Sequence, residues 1–79
     1  MKAIRRLGTT PKARGETTNV TGSPDVLELD DGSFAVIGVD ITDQLGRQPL
    51  VDARCAPDER IVRVTRKTLI AARKDIPEA

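Results

Sequence analysis

Hydrophobic residues concentrate in two parts of the 79-residue chain, residues 26–41 and residues 60–76. The first part, VLELDDGSFAVIGVDI, alternates apolar and polar positions on both sides of Asp31-Gly32. An Asp-Gly pair between two alternating runs is a strong short-range signal of a β-hairpin. The pattern therefore predicts two strands joined by a type I′ turn, with Leu29 opposite Phe34.

This register predicts apolar side chains on both faces of the hairpin. One face carries Leu27, Leu29, Phe34 and Val36. The other carries Val26, Ala35, Ile37, Val39 and Ile41, with Glu28 as its single charged member. A strand over residues 34–41 that is apolar on both sides is typical of a covered, central strand.

The second hydrophobic part predicts a strand followed by a helix. RIVRVT, residues 60–65, alternates enough for a third strand, and Thr65 is a suitable N-cap for a helix over residues 66–74. Leu69, Ala72 and Ile76 follow at helical spacing, and Pro77 ends the segment. Between the two parts the chain is predicted to be a loop, in which LVDARC could form a short extra strand.

The predicted fold class is α+β, a small antiparallel sheet of three to four strands with one C-terminal helix. Residues 25–79 form the domain. Residues 1–24 are predicted to be a basic, flexible N-terminal arm, because they offer too few aliphatic side chains to offset the cost of ordering the chain. MKAIRRL, at its start, could instead form a short strand or one helical turn on a partner.

One helix covers only one face of such a sheet. The other face either meets the folded-back arm or forms an interface, and we expect an interface, either in a homodimer sheet or as a groove for a partner's helix. The predicted interface residues are Val26, Ile37, Val39 and Ile41.

Charge is strongly segregated although the formal net charge is only +1. Residues 1–24 have five basic and one acidic residue, residues 25–59 two basic and nine acidic, and residues 60–79 six basic and two acidic. Either segments of opposite sign lie side by side in the fold, or one patch steers a charged partner. The candidates for charged contacts are Arg60, Arg63, Arg66, Lys67, Arg73 and Lys74.

Direct nucleic-acid binding is the alternative function. The arm would contribute Lys2, Arg5, Arg6, Lys12 and Arg14, joined by the basic residues of the helix. The chain has no Tyr, Trp or His to stack on bases, and its acidic middle would repel phosphates. These features favour protein binding over nucleic-acid binding.

Enzymatic chemistry has little support in the sequence. Cys55 has no His to act as its base, and the paired carboxylates at residues 30–31 and 58–59 fall in predicted turns. No phosphate-binding loop occurs, and one cysteine without histidine predicts no metal or cofactor. A lone cysteine and the lack of a signal segment predict a cytoplasmic protein. No run reaches the roughly 20 apolar residues that span a membrane.

The segments VLELDDGSFAV and RIVRVTRKTLIAA, in this order, resemble the small actinobacterial BldB-like proteins, which are encoded beside helix-turn-helix regulators. The resemblance implies a non-enzymatic regulatory partner of a DNA-binding transcription regulator. It implies no catalytic residue and no cofactor.

Overall fold

The computed structural model describes residues 1–19 and 21–78, so Val20 and Ala79 lie outside the described residues. A three-stranded antiparallel sheet has the order β1-β2-β3, and β4 pairs with β5 in a second, two-stranded sheet. The elements in chain order are β1 Ala3–Arg6, β2 Asp25–Leu29, β3 Phe34–Ile37, β4 Val39–Asp40, α1 Thr42–Leu45, β5 Val62–Arg63 and α2 Arg66–Arg73. The predicted α+β class with an antiparallel sheet and a C-terminal helix is confirmed.

The hairpin between β2 and β3 forms, but its predicted turn was wrong. Gly32 donates its N–H to the C=O of Leu29, and Leu29 donates its own N–H to Ser33, which leaves three residues in the loop. Gly32 has a φ of 87°, whereas Asp31 is not in the left-handed region that a type I′ turn requires. The loop is a type I turn followed by a glycine bulge, stabilised because Asp31 accepts hydrogen bonds from Ser33.

The extra loop residue shifts the register by one. Glu28 lies opposite Phe34 and Val26 opposite Val36. Val26, Glu28, Phe34 and Val36 therefore share one face, and the predicted grouping of faces was wrong. A slip of one residue transfers a whole strand's side chains to the other face, since side chains alternate along a strand.

The predicted strand over residues 34–41 is divided at Gly38. A Cβ at Gly38 would meet the backbone oxygen of Arg63, so only glycine permits this close approach. Beyond Gly38 the chain leaves the first sheet, and Val39 lies opposite Arg63. The strand predicted over residues 60–65 is therefore reduced to β5 and belongs to the second sheet, while LVDARC forms only the isolated bridge between Leu50 and Ala53.

The predicted flexible arm is corrected at its start. Residues 3–6 form β1, which pairs with β2, and Leu7 is only 1% exposed in a cluster with Val26 and Ala72. The division of the chain at residue 24 therefore separates β1 from the sheet to which it belongs. Sequence reasoning undervalued this segment because one leucine contributes a large share of a very small core.

The predicted helix and its cap are confirmed. Thr65 is the N-cap of α2, and its side chain accepts a hydrogen bond from the N–H of Thr68. The predicted apolar stripe was only partly right, because Ala72 is buried with Thr68 while Leu69 and Ile76 are exposed. The buried stripe uses small side chains, which allows a close approach of α2 to the segment after β1.

Candidate interaction surface

Most of the large hydrophobic side chains in the described residues are exposed. Its accessible surface is 6054 Å², whereas a monomer of 8.6 kDa is expected to expose about 4,700 Å². The radius of gyration is 13.7 Å, compared with about 12 Å for an isolated domain of this length. The chain thus exposes roughly 1,300 Å² more than its mass requires, which is more than the about 800 Å² that one partner contributes to a standard protein interface.

Apolar exposure is prominent along β3 and the start of β4. The side chains of Phe34, Val36, Ile37 and Val39 are between 42% and 58% exposed. Phe34 and Val36 lie on the face that carries Val26, and Ile37 lies on the opposite face. We call these four residues the apolar edge, because they follow the open side of β3 into the start of β4 instead of covering one face of a sheet.

The backbone of β3 is open on the side away from β2. Leu29 and Ser33 form a hydrogen-bonded pair, so the alternation of an antiparallel ladder points the N–H and C=O groups of Phe34 and Val36 outward. Within residues 1–19 and 21–78, neither residue has a hydrogen bond outside the strand pairing. From Ser33 to Val39 the chain has no charged residue and no proline.

The predicted interface residues fall into two groups. Val26 is 7% exposed and packs in the cluster with Leu7 and Ala72, so its assignment to an interface is corrected. Ile37 and Val39 are exposed, and Ile41 is half-buried where its N–H donates to the C=O of Ile61. Sequence reasoning missed Phe34 and Val36, because it expected the helix to cover their whole face, whereas α2 packs at Val26 and leaves both residues exposed.

Three of the five basic residues of the predicted arm are used inside the fold. Arg5 Nε donates to Glu28 at 2.6 Å. Arg6 Nε donates to both carboxylate oxygens of Asp25, each at 2.9 Å. Arg14 Nε lies 3.0 Å from Glu16, and both side chains are nearly buried. Segments of opposite sign therefore lie side by side, the simpler of the two explanations of the charge pattern.

The basic residues predicted for charged contacts lie at the surface. Arg60 is 3.8 Å from Asp40. The others, Arg63, Arg66, Lys67, Arg73 and Lys74, are exposed and form no ion pair within the described part of the chain. Most of them belong to α2 or its C-cap, so they form a basic surface on the helix.

A polar cluster joins the segment after β1 to the start of α2. The carboxylate of Glu16 accepts hydrogen bonds from Thr65 Oγ1 at 2.8 and 2.7 Å and from Thr68 Oγ1 at 3.2 Å. The hydrogen bond from Thr65, with further contributions from Arg14 and Thr68, holds the pKa of Glu16 below its ordinary value. Every donor around Glu16 is satisfied internally, so the cluster serves the fold.

The paired carboxylates occupy local turns, as their sequence context indicates. Hydrogen bonds from the hydroxyl and N–H of Ser33 lower the pKa of Asp31. Glu59 accepts from the N–H of Ala56 at 2.9 Å. A single carboxylate outside these pairs, Asp40 at the end of β4, accepts hydrogen bonds from the N–H and hydroxyl of Thr42 at the start of α1. These bonds lower the pKa of Asp40.

The loop between α1 and β5 forms an open surface cleft of about 520 Å³. Its lining residues are Pro49, Ala53, Arg54, Cys55, Glu59, Arg60 and Ile61. Arg47 organises this loop, since its Nη1 donates to the C=O of Ala56 at 2.5 Å and to the C=O of Glu59 at 3.3 Å. Cys55 is buried in the wall, and the chain contains no histidine to activate it. The carboxylate in the lining, Glu59, accepts a hydrogen bond from the N–H of Ala56, and Arg47 Nη1 lies 3.6 Å from Sγ of Cys55.

No three His, Cys, Asp or Glu side chains are grouped for metal binding within residues 1–19 and 21–78. Over the same residues, none of the helices has the length and apolar character needed to cross a bilayer. Comparison with known proteins finds no matching family model, curated sequence or solved structure. The resemblance to BldB-like proteins therefore stays a prediction from the two quoted segments.

Proposed function

We propose that this protein is a non-enzymatic protein-interaction module that associates through its apolar edge. The observation that carries the proposal is the uncharged, exposed strand β3, whose outward backbone groups are unpaired within the described residues. Natural proteins usually protect such an edge with charges, prolines or bulges, because it readily pairs with another strand. An unprotected edge is suited to β-strand addition, in which main-chain hydrogen bonds supply affinity.

The excess surface supports the same function. A chain that exposes roughly 1,300 Å² more than expected for its mass gains free energy when another protein covers its apolar side chains. The resemblance described above adds a regulatory role beside a helix-turn-helix regulator, and the lone cysteine and lack of a signal segment add a cytoplasmic location. Both additions stay predictions, whereas the interaction itself rests on the geometry of β3.

Direct nucleic-acid binding is the weaker alternative. Three basic residues of its proposed arm, Arg5, Arg6 and Arg14, form ion pairs with carboxylates of the fold. The basic surface of α2 is still available, but the single aromatic residue of the sequence on which a base could stack, Phe34, lies on β3. Salt dependence separates the two functions, since each phosphate contact adds about one unit to the log–log slope of affinity against salt.

Mass measurement by light scattering tests the proposal. The chain should exceed the monomer mass of 8.6 kDa, either in pure form at micromolar concentration or in a complex isolated from a clarified lysate, at both low and high salt, and duplex DNA should not change this. Val39→Asp on the apolar edge should weaken association, whereas Val51→Asp, in a loop where the side chain is 93% exposed, should not.

A particle of 8.6 kDa both in pure form and in a clarified lysate contradicts the proposed function. Binding to duplex DNA that disappears at high salt, with Val39→Asp behaving like the parent chain, would favour the basic surface of α2 instead.

A further inference from the structure

The proposed function leaves the occupant of the apolar edge open, and the pattern of β3 itself narrows it. The two residues whose backbone groups point outward, Phe34 and Val36, are separated by a single residue, Ala35. A twofold rotation about an axis at Ala35 places Phe34 of one copy opposite Val36 of the other. We propose that the occupant is a second copy of this chain, with its β3 antiparallel to the first and Ala35 on the twofold axis.

The backbone of this arrangement is complementary to itself. Phe34 and Val36 of the second copy become a hydrogen-bonded pair, in which each residue donates its N–H to the C=O of the other. The symmetric pair does the same on the other side of the axis. The outward groups that have no partner within the described residues are thereby all paired.

The side chains are also complementary. Phe34 meets Val36 of the second copy on one face, an aromatic and β-branched cross-strand pair that stabilises antiparallel sheets. The two Ala35 residues meet on the other face as a non-hydrogen-bonded pair. The Cα atoms of such a pair are only about 4.5 Å apart, so small side chains fit well there. No charge lies between Ser33 and Val39, so no like charges oppose each other across the axis.

The assembly closes after two copies. Joining β3 to β3 gives a continuous sheet with β1 at both ends, and β1 is protected by a bulge at Ile4 and by Arg5 and Arg6. A symmetric interface uses the same patch on both subunits and leaves no unprotected edge to continue the sheet. The excess surface, roughly 1,300 Å² per chain, exceeds the about 800 Å² that each partner contributes to a standard interface.

Cysteine cross-linking tests the axis directly. Ala35→Cys should form a covalent dimer on mild oxidation, because paired residues at this position lie about 4.5 Å apart at Cα, within disulfide range. The parent chain, in which buried Cys55 is the single cysteine, is the control and should remain uncross-linked. A covalent dimer of Val36→Cys without one of Ala35→Cys would move the axis to Val36 and overturn the inference.

A pair of proline variants tests the edge without a new thiol. Val36→Pro removes an N–H that points away from β2. The circular dichroism spectrum should therefore stay that of the folded chain, while the dissociation constant of the dimer rises about a hundredfold or more. Ala35→Pro removes an N–H that faces β2, and should lower the stability of the hairpin itself.

The outcomes separate this inference from the proposed function on which it rests. A parent chain that dimerises, together with a Val36→Pro variant that dimerises equally well, overturns the β3 pairing and leaves the interaction module intact. A parent chain that is monomeric alone, but loses a larger complex in lysate when Val36 is replaced by proline, shows that another protein's strand occupies the edge, which also overturns the second copy. A parent chain that is monomeric under all conditions contradicts both proposals.

Discussion

The two edge strands of the three-stranded sheet differ in how they meet solvent. Both β1 and β3 border β2. The ladder of β1 is interrupted by a bulge at Ile4, and the two arginines that follow are paired to carboxylates of β2. The strand β3 is regular, uncharged and open. The comparison shows that β1 is a protected edge and β3 an unprotected one, and this difference is the reason for proposing association at β3.

The two edge strands also differ in how their neighbourhoods should affect the stability of the chain and its association. The chain continues from β1 to Leu7, which is buried against Val26 and Ala72. The side chains of β3 are exposed or half-buried, so they contribute less to the isolated chain and more to whatever covers them. Substitutions near β1 should therefore change unfolding, and substitutions on β3 should change association.

The largest effect is expected at Leu7. Leu7→Ala should lower the free energy of unfolding by about 3 kcal/mol, because a fully buried leucine leaves a cavity that the fold only partly fills. Urea denaturation measures this loss. Ile4→Ala, on the exposed bulge of β1, should change the free energy of unfolding by less than about 0.5 kcal/mol. Equal effects of the two variants would show that the segment after β1 does not belong to the core.

The next effect compares the edges themselves. Phe34→Lys should raise the dissociation constant of the assembly about thirtyfold, the cost of losing an interface hot spot of about 2 kcal/mol. Ile4→Lys should leave the constant nearly unchanged, because β1 is already protected by charge. Sedimentation equilibrium of both variants provides the comparison, and a larger effect at Ile4 would reverse the roles of the two edges.

A smaller loss of stability is expected at the ion pair between β1 and β2. Arg6→Ala leaves the buried carboxylate of Asp25 without the Nε–H that both of its oxygens accept and should lower the free energy of unfolding by about 1–2 kcal/mol. Association should be unchanged. Arg63→Ala is the matched control, since Arg63 is exposed and has no ion pair in the described structure. A weakened assembly with unchanged unfolding would place Arg6 in the interface.

The smallest effect concerns pH. The pKa of Glu16 is lower in the folded chain, chiefly through the hydrogen bond from Thr65. The stability that this provides is therefore present above the unfolded-state pKa and is lost as pH falls through the folded-state pKa. Glu16→Gln should be less stable than the parent chain near neutral pH, and the difference should shrink on acidification.

Unfolding measured over a series of acidic and neutral pH values tests this prediction. Thr65→Ser keeps the hydroxyl group and should keep the pH profile of the parent chain. A difference between Glu16→Gln and the parent chain that is constant with pH would contradict the role of the hydrogen bonds to the carboxylate.

Sequence patterns were sufficient where the physics is local. The alternation around Asp31-Gly32 identified the hairpin, and Thr65 before a helical run identified both the start and the cap of α2. The α+β class followed from these two elements. Ile37 and Val39 were correctly placed at the surface, since a helix as short as α2 cannot cover all apolar positions.

The details of the apolar edge were not available from the pattern. A type I turn with a glycine bulge and a type I′ turn both accept Asp-Gly, yet they differ by one residue in register, and that residue decides which side chains share a face. Ser33 donates its N–H and its hydroxyl to the carboxylate of Asp31, and these bonds stabilise the turn that forms. Phe34 and Val36 were assigned to the face covered by the helix, and they do share the face of Val26, but α2 packs at Val26 and leaves both exposed.

The sequence by itself determined the local elements of this protein, because hydrophobic periodicity, turn residues and helix caps act over a few neighbouring positions. Tertiary structure alone decided the partners of those elements. Residues 3–6 pair with β2, next to the buried Leu7. The strand β3 ends before Gly38, where the chain turns to pair with β5. Such choices depend on contacts between residues far apart in the chain, so β3 became an open edge only when the whole fold was formed.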